Sequence, residues 1–368
     1  MTVKRTLRIG LAGATVALLV PLGAAPARAD DDGGAAGPRF TQINQVSDDP
    51  AQHPKLVDPN VVNAWGLALS PTSPLWVANN GTNTSTLYPG GLNGAAVGPS
   101  PFVVQIPGGA PTGQVFNGTG QFVVTGTKDD GTTGSGSAAF IFDSEGGDIT
   151  GWSPAITRTH AFVAAHIDGA VYKGLALLQS PFGPLLLAAD FAHGRIDVFD
   201  RTYQRLTLPH QFFTDPRLPR GYAPFNVMVS GDTVYVAYAR QQAGSTDEQA
   251  GPGLGIVDAF TDIGLTVHRV ASHGTLNAPW GMAIAPAGFG RFTGALLVGN
   301  FGDGRIGAYR GDDFLGQLRD TRGHRITIDG LWALLPGTAA SGGLGTLWYS
   351  AGPNDESHGR VGQLIPAS

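Results

Sequence analysis

The chain has 368 residues, with 23 Lys and Arg against 28 Asp and Glu and no cysteine. The missing cysteine excludes disulfides, thiolate metal sites and cysteine nucleophiles, and the acidic balance excludes the concentrated basic face that nucleic acid requires. Length alone gives a prior of about two domains at roughly 150 residues each, which the repeats described below override.

The first predicted element is a leader. Lys4, Arg5 and Arg8 precede a largely apolar run from Ile9 to Leu22, and Ala27-Arg28-Ala29 supplies a small-x-small cleavage pattern. This reads as a signal peptide cut before Asp30. Loss of Lys4, Arg5, Arg8 and Arg28 leaves 19 basic against 28 acidic residues. No other stretch approaches the roughly 20 apolar residues that span a bilayer, so the mature chain is expected to be secreted, without an integral span, as a monomer. Residues 30–38, acidic and Gly-rich, read as a flexible leader.

Phe40-Thr-Gln-Ile-Asn-Gln-Val46 alternates apolar and polar residues as a strand does. Beyond it a phrase recurs: Trp65-Gly-Leu-Ala-Leu69, Lys173-Gly-Leu-Ala-Leu177 and Trp280-Gly-Met-Ala-Ile284, with looser copies at Phe225-Asn-Val-Met-Val229 and Asp329-Gly-Leu-Trp-Ala333 and the faintest at Val115-Phe-Asn-Gly-Thr119. Its Gly or Asn falls at 66, 117, 174, 226, 281 and 330, giving six copies. Each copy continues with an apolar strand, such as Leu75-Trp-Val-Ala78 or Leu185-Leu-Leu-Ala-Ala189, then a polar turn. A third strand follows, such as Ala138-Ala-Phe-Ile-Phe142 or Arg195-Ile-Asp-Val-Phe199, and usually a fourth. About four short antiparallel strands per repeat of roughly 50 residues predict an all-β six-bladed β-propeller over residues 39–368. The sixth copy runs out after its third strand, so the strand at Phe40–Val46 is expected to complete it and close the ring, covering an edge that would otherwise be a liability.

The runs Ala278-Pro-Trp-Gly-Met-Ala-Ile284, Leu297-Val-Gly-Asn-Phe301 and Gly304-Arg-Ile-Gly-Ala-Tyr309 resemble NHL-type propeller repeats. Together with Asn63-Ala-Trp-Gly-Leu67 and Trp76-Val-Ala-Asn-Asn-Gly81, they make nearly the whole mature chain similar to an uncharacterised family of exported bacterial propellers, which brings no catalytic residues with it. A more distant similarity is to six-bladed calcium-dependent lactonases and phosphotriesterases of the gluconolactonase and paraoxonase kind. It rests on fold and on Asn and Asp near the channel, and implies Ca²⁺ there.

No Gly-x-Ser-x-Gly elbow, His-Glu-x-x-His pattern or EF-hand spacing occurs, and Gly302-Asp-Gly-Arg-Ile-Gly307 lies between strands, where a dinucleotide site has no helix to use. Convergence at the channel is what remains. The loops entering first strands and those joining second to third strands emerge at one end, and both long insertions, Gly126 to Ser137 and Gln241 to Pro252, are expected in the second class. The ligand-face candidates are Asn63, Trp65, Asp168, Lys173, His193, Tyr222, Asn226, Asn277, Trp280 and Asp329. Asn and Asp are also ordinary turn residues, and Trp65 and Trp280 suit interblade packing as well as stacking on a sugar. Asn63, Asp168, Asn226, Asn277 and Asp329 are the oxygens from which a Ca²⁺ site would be assembled. Two functions follow. The preferred one is an extracellular binding scaffold for a ligand, glycan or protein; the other is a calcium-dependent hydrolase of lactones or phosphoesters.

Overall fold

The structure is a computed structural model and describes residues 37–209 and 211–367. The expected signal peptide, residues 1–29, and residues 30–36 of the expected leader lie outside the described residues. Among the described residues no helix is long and apolar enough to cross a membrane.

Six small antiparallel sheets form the blades of a β-propeller. Blade 1 comprises Ala64–Ala68, Leu75–Asn79, Thr84–Tyr88 and Val103–Gln105; blade 2, Pro111–Phe116, Phe140–Ser144, Asp148–Trp152 and Phe162–His166. Blade 3 has Tyr172–Ser180, Gly183–Asp190 and Arg195–Phe199, with Leu206 N donating to Val198 O at 2.8 Å where a fourth strand would begin. Blade 4 is Tyr222–Ser230, Thr233–Gln241, Ile256–Thr261 and Thr266–Ser272; blade 5, Pro279–Ile284, Leu296–Asn300, Ile306–Arg310 and Asp313–Gln317. Leu331–Pro336, Leu347–Ala351 and Arg360–Pro366 make blade 6, and Arg39–Ser47 adds its outer strand. The ring is therefore closed from the N-terminal side, Phe40 opposite Pro366 and Val46 opposite Val361. Phe40 and Val46 are fully buried. Side chains reinforce the seam: Gln45 Nε2 donates to Gln363 Oε1 at 2.9 Å and Tyr349 Oη to Asn44 Oδ1 at 2.8 Å.

Apolar side chains fill the gaps between blades. Trp76 stacks on Phe140 at 4.1 Å between blades 1 and 2, and Trp348 is fully buried in blade 6.

Blade 2 departs from the sequence expectation. Phe140 pairs with Phe116, so Phe140–Ser144 is the second strand and not the third. The insertion carrying Gly126 to Ser137 is a hairpin, Val123–Thr127 with Thr133–Ser137, between first and second strands, at the opposite end of the ring from Gln241–Pro252. Strands of this hairpin imitate blade strands in composition, which displaced the frame by one strand.

The first strands share one irregularity. Ala64, Pro111, Tyr172, Pro279 and Leu331 pair with Asn79, Ser144, Asp190, Asn300 and Ala351, and in each case the register then shifts. Blade 4 shifts between Pro224 and Asn226. The repeat marker accordingly falls on Gly113 in blade 2 and Ala333 in blade 6, in place of positions 117 and 330. Such a bulge re-aims a side chain, and the residues it presents are Trp65, Thr112, Lys173, Phe225, Trp280 and Trp332.

Candidate functional site

Four of those six residues are aromatic, and they meet on the axis. Trp65 stacks on Trp332 with ring centroids 3.6 Å apart; Trp280 meets both edge-on at 6.3 and 5.9 Å, and Phe225 meets Trp332 at 6.0 Å. Contacts between first strands of blades that are not neighbours close the channel. All four residues are buried. Trp332 is sandwiched between Trp65 and Phe301, whose ring centroid lies 4.1 Å away, which leaves it no face for a sugar. Below them an open cavity of ≈310 Å³, walled by Leu67, Val115, Leu177, Val227, Met282 and Leu335, continues towards the other end.

Above the aromatic plug lies the upper mouth, and its centre is Lys173. Blade 3 presents this lysine at the position where its neighbours present aromatics. It is 2% exposed, with its ammonium 5.3 Å from the Trp65 ring centroid. An unpaired ammonium at such burial would cost several kcal/mol, and carboxylates from other blades surround it. Nζ donates to Glu145 Oε1 of blade 2 at 2.6 Å and lies 3.7 Å from Asp247 Oδ1 of blade 4. Burial alone would lower the lysine's pKa; Glu145, Glu248 and Asp247 more than offset it and hold the value above the ordinary one.

A hydrogen-bonded rim extends this pair around the mouth. Asn80 Nδ2 donates to Glu145 Oε2 at 3.1 Å, and Asn63 Nδ2 to Asn80 Oδ1 at 3.3 Å and to Glu356 Oε2 of blade 6 at 2.6 Å. Two plug residues orient the rim from below: Trp332 Nε1 donates to Asn63 Oδ1 at 2.9 Å and Trp280 Nε1 to Lys173 O at 2.7 Å. Asn63 reaches this position because it turns in the left-handed region, φ 46°, which Asn tolerates.

The acids outnumber the cation, and their protonation reflects it. Burial pushes Glu248 up to about 7, against the pull of Lys173 and with help from Glu356 and Asp247. Burial also raises Glu356; Asn63 and Lys173 draw it down, while Glu145 and Asp247 push it further up. The mouth thus holds a buried ammonium, carboxylates that titrate above their usual range, and amide groups that orient them. It offers both donors and acceptors, and acid–base capacity near neutral pH.

Of the candidates drawn from sequence, Asn63, Trp65, Lys173 and Trp280 come together here. Asn226 stands lower, its Nδ2 on Trp280 O at 2.8 Å. Asn277 accepts from Gly251 N at 2.6 Å and so fastens the long blade 4 loop. His193 pairs with buried Asp190 at 2.7 Å in a separate cluster with Arg195. Asp168 is exposed beside His166, at 3.1 Å, and exposed Asp329 accepts from Asn354 N at 3.0 Å. Tyr222 pairs with Arg240 at the start of blade 4. The five oxygens from which a Ca²⁺ site was to be assembled are thus engaged in separate networks. Among the described residues no three His, Asp or Glu side chains are grouped to hold a metal ion. Sequence reasoning missed Glu145, Asp247, Glu248 and Glu356. All four lie between second and third strands; for Asp247, Glu248 and Glu356 the sequence already marked that stretch as converging on the mouth, whereas the misframed blade 2 put Glu145 after a third strand and hid it.

No family model matches the chain. It is 34% identical over 307 residues to "Uncharacterized protein R648" of Acanthamoeba polyphaga mimivirus, covering 80% of this chain and 73% of that protein. Among solved structures, one described as YjhT is similar at TM-score 0.50 and 11% identity, over 84% of this chain and 96% of the other. A gluconolactonase-type structure is similar at TM-score 0.39 and 16% identity, over 62% of this chain and 74% of the other. At 11% identity the likeness to YjhT speaks to the fold alone.

Proposed function

The chain belongs to the family of uncharacterized protein R648 of Acanthamoeba polyphaga mimivirus, and on the chemistry of its channel mouth we propose that it is a binding propeller which holds a polar ligand over Lys173. The observation that carries this reading is the convergence of Glu145, Asp247, Glu248 and Glu356, from blades 2, 4 and 6, on one buried lysine of blade 3. One carboxylate satisfies a structural lysine. The further acids raise the local charge at a cost to stability, which fits a surface selected for recognition. With residues 1–29 read as an export signal, the ligand is an extracellular one. The sequence also raised a calcium-dependent hydrolase; no observation favours it, because the tethered ammonium of Lys173 already stands among the carboxylates that a cation would need.

A thermal-shift screen of polar metabolites and short glycans tests the proposal, run on the wild type and on an Asn80→Ala/Glu356→Gln variant. A ligand present at about 100 times its Kd stabilises the folded state by about 2.7 kcal/mol. At least one compound is expected to raise the Tm of the wild type and not of the variant. Hits that shift both proteins equally would place binding elsewhere.

A further inference from the structure

The outer side of blade 3, away from the mouth, differs from that of its neighbours. Blades 1, 2, 4 and 5 carry a fourth strand and blade 6 has Arg39–Ser47, whereas among the described residues the sheet of blade 3 ends at its third strand, Arg195–Phe199. The chain that follows starts to pair with this strand and then leaves it. Asp200 N donates to Gln204 O at 3.0 Å and Leu206 N to Val198 O at 2.8 Å, after which Leu206 to Pro209 run exposed. Along an antiparallel strand, alternate residues turn both backbone groups to the same side, so Ile196 faces outward as Val198 does. Among the described residues the outward N–H and C=O of Ile196 have no partner, and neither has the N–H of Val198. A sheet edge left in this state is a ready template for another strand.

Beside the edge lies room for one. A groove of ≈230 Å³ runs between residues 195–198 and 205–209, with Phe212 and Thr214 at its side. Its two faces differ in chemistry. Ile196 and Val198 belong to the face packed towards blade 4, where Phe212 joins them, and Leu206 and Leu208 border the same groove at 36% and 37% exposure. The opposite face is charged. Arg195 Nε lies 2.7 Å and Arg205 NH1 3.4 Å from Asp197 Oδ1; that carboxylate is 5% exposed, while the two arginine side chains are 43% and 40% exposed. The nearby Asp200 is folded into its own turn, where it accepts from Thr202 N and Gln204 N. The charge presented to the groove is therefore positive, in a chain with more acids than bases.

We propose that blade 3 takes an extended acidic peptide segment as its fourth strand. The backbone of the segment pairs with Ile196, its apolar residues lie beside Ile196 and Leu206, and its acidic residues lie beside Arg195 and Arg205. Side chains of a strand alternate between its two faces, so a segment that alternates acidic and apolar residues meets both faces of the groove at once. Main-chain bonds supply affinity in this mode of recognition and the alternate side chains supply specificity. Carboxylates on guanidinium groups add charge-assisted bonds, which are the stronger kind.

Fluorescence polarisation with the labelled, end-blocked peptide Thr-Val-Glu-Val-Glu-Val-Thr tests the proposal, together with amide hydrogen exchange of the complex. The peptide is expected to bind the wild type about ten-fold more tightly than its counterpart with Lys in place of Glu, as one charge-assisted bond implies. A counterpart with Pro as its central residue lacks an N–H for the ladder and is expected to lose binding. Exchange at Ile196 and Val198 is expected to slow about ten-fold in the complex. Two variants at exposed side chains separate the two faces: Arg205→Glu is expected to remove the preference for Glu over Lys, and Leu208→Asp to weaken both peptides. Failure of the Glu peptide to bind, equal binding of the Pro peptide, or binding that leaves exchange at Ile196 and Val198 unchanged would overturn the proposal. Self-association of the protein that Leu208→Asp abolishes would give the edge to a second copy of this chain and would overturn it too.

Discussion

At Lys173 burial and pairing act in opposition, and pairing prevails. Replacing it with methionine keeps the stem and strands the carboxylates. Breaking a buried ion pair in this way costs about 3–5 kcal/mol, so Lys173→Met is expected to lose that much in urea denaturation at pH 7. The loss should shrink as pH falls through the carboxylate range, since protonated acids no longer need the ammonium. Asp143 offers the complementary case. It is fully buried opposite the blade 2 bulge and accepts from Gly113 N at 2.6 Å and Thr112 Oγ1 at 2.9 Å, and burial raises it to about 7. Its folded pKa lies above its unfolded one, so the unfolded chain releases the proton first and stability falls as pH rises from about 4 to about 7. Asp143→Asn keeps the accepting oxygen and removes the titration. Thermal melts should therefore show a flatter pH profile for the variant, with a higher Tm than the wild type above pH 7. Lys173 was legible in sequence because it broke a repeated aromatic position. Asp143 and the four mouth acids sit in no repeated phrase; Asp247, Glu248 and Glu356 had only their loop class to mark them, and Glu145, in a misframed blade, lacked even that.

At the scale of elements, the bulge in every first strand matters most. Six bulges at one level convert strands that would line the channel with backbone into a platform of inward side chains, and the aromatic plug and Lys173 are both its products. The recurring Trp-Gly phrase marked this level from sequence, although a repeat cannot reveal that its tryptophans stack on one another. The closing strand was legible for a different reason: the sixth repeat lacked a partner and an alternating segment was spare. Blade 2 was misframed because its inserted hairpin has strand-like composition, and only pairing distinguishes the two. Closure predicts a local weak point. Phe40 is fully buried and meets Phe289 at 4.7 Å, so Phe40→Ala is expected to cost about 3–5 kcal/mol. In hydrogen exchange the amides of Arg360–Pro366 should lose protection before those of blades 2 to 4. Uniform loss across all blades would mean that the seam has no independence.

For the whole molecule, the plug divides the channel into an acidic upper mouth and a separate lower cavity, so a ligand bound above does not pass through. All six blades contribute to the upper end: Asn63, Asn80 and Trp65 from blade 1, Glu145, Lys173, Asp247 and Glu248 from blades 2 to 4, Trp280 from blade 5, and Trp332 and Glu356 from blade 6. A site built in this way needs the complete ring, which ties recognition to closure by Arg39–Ser47. The crowding of acids around one lysine is the central claim, and carboxyl carbon NMR titration of the glutamates and aspartates tests it most directly. Glu248 is expected to titrate near 7, with Glu356 also above the ordinary glutamate range. Ordinary titration of both, near about 4.3, would show that the loops stand apart in solution and would contradict the mouth as a built site.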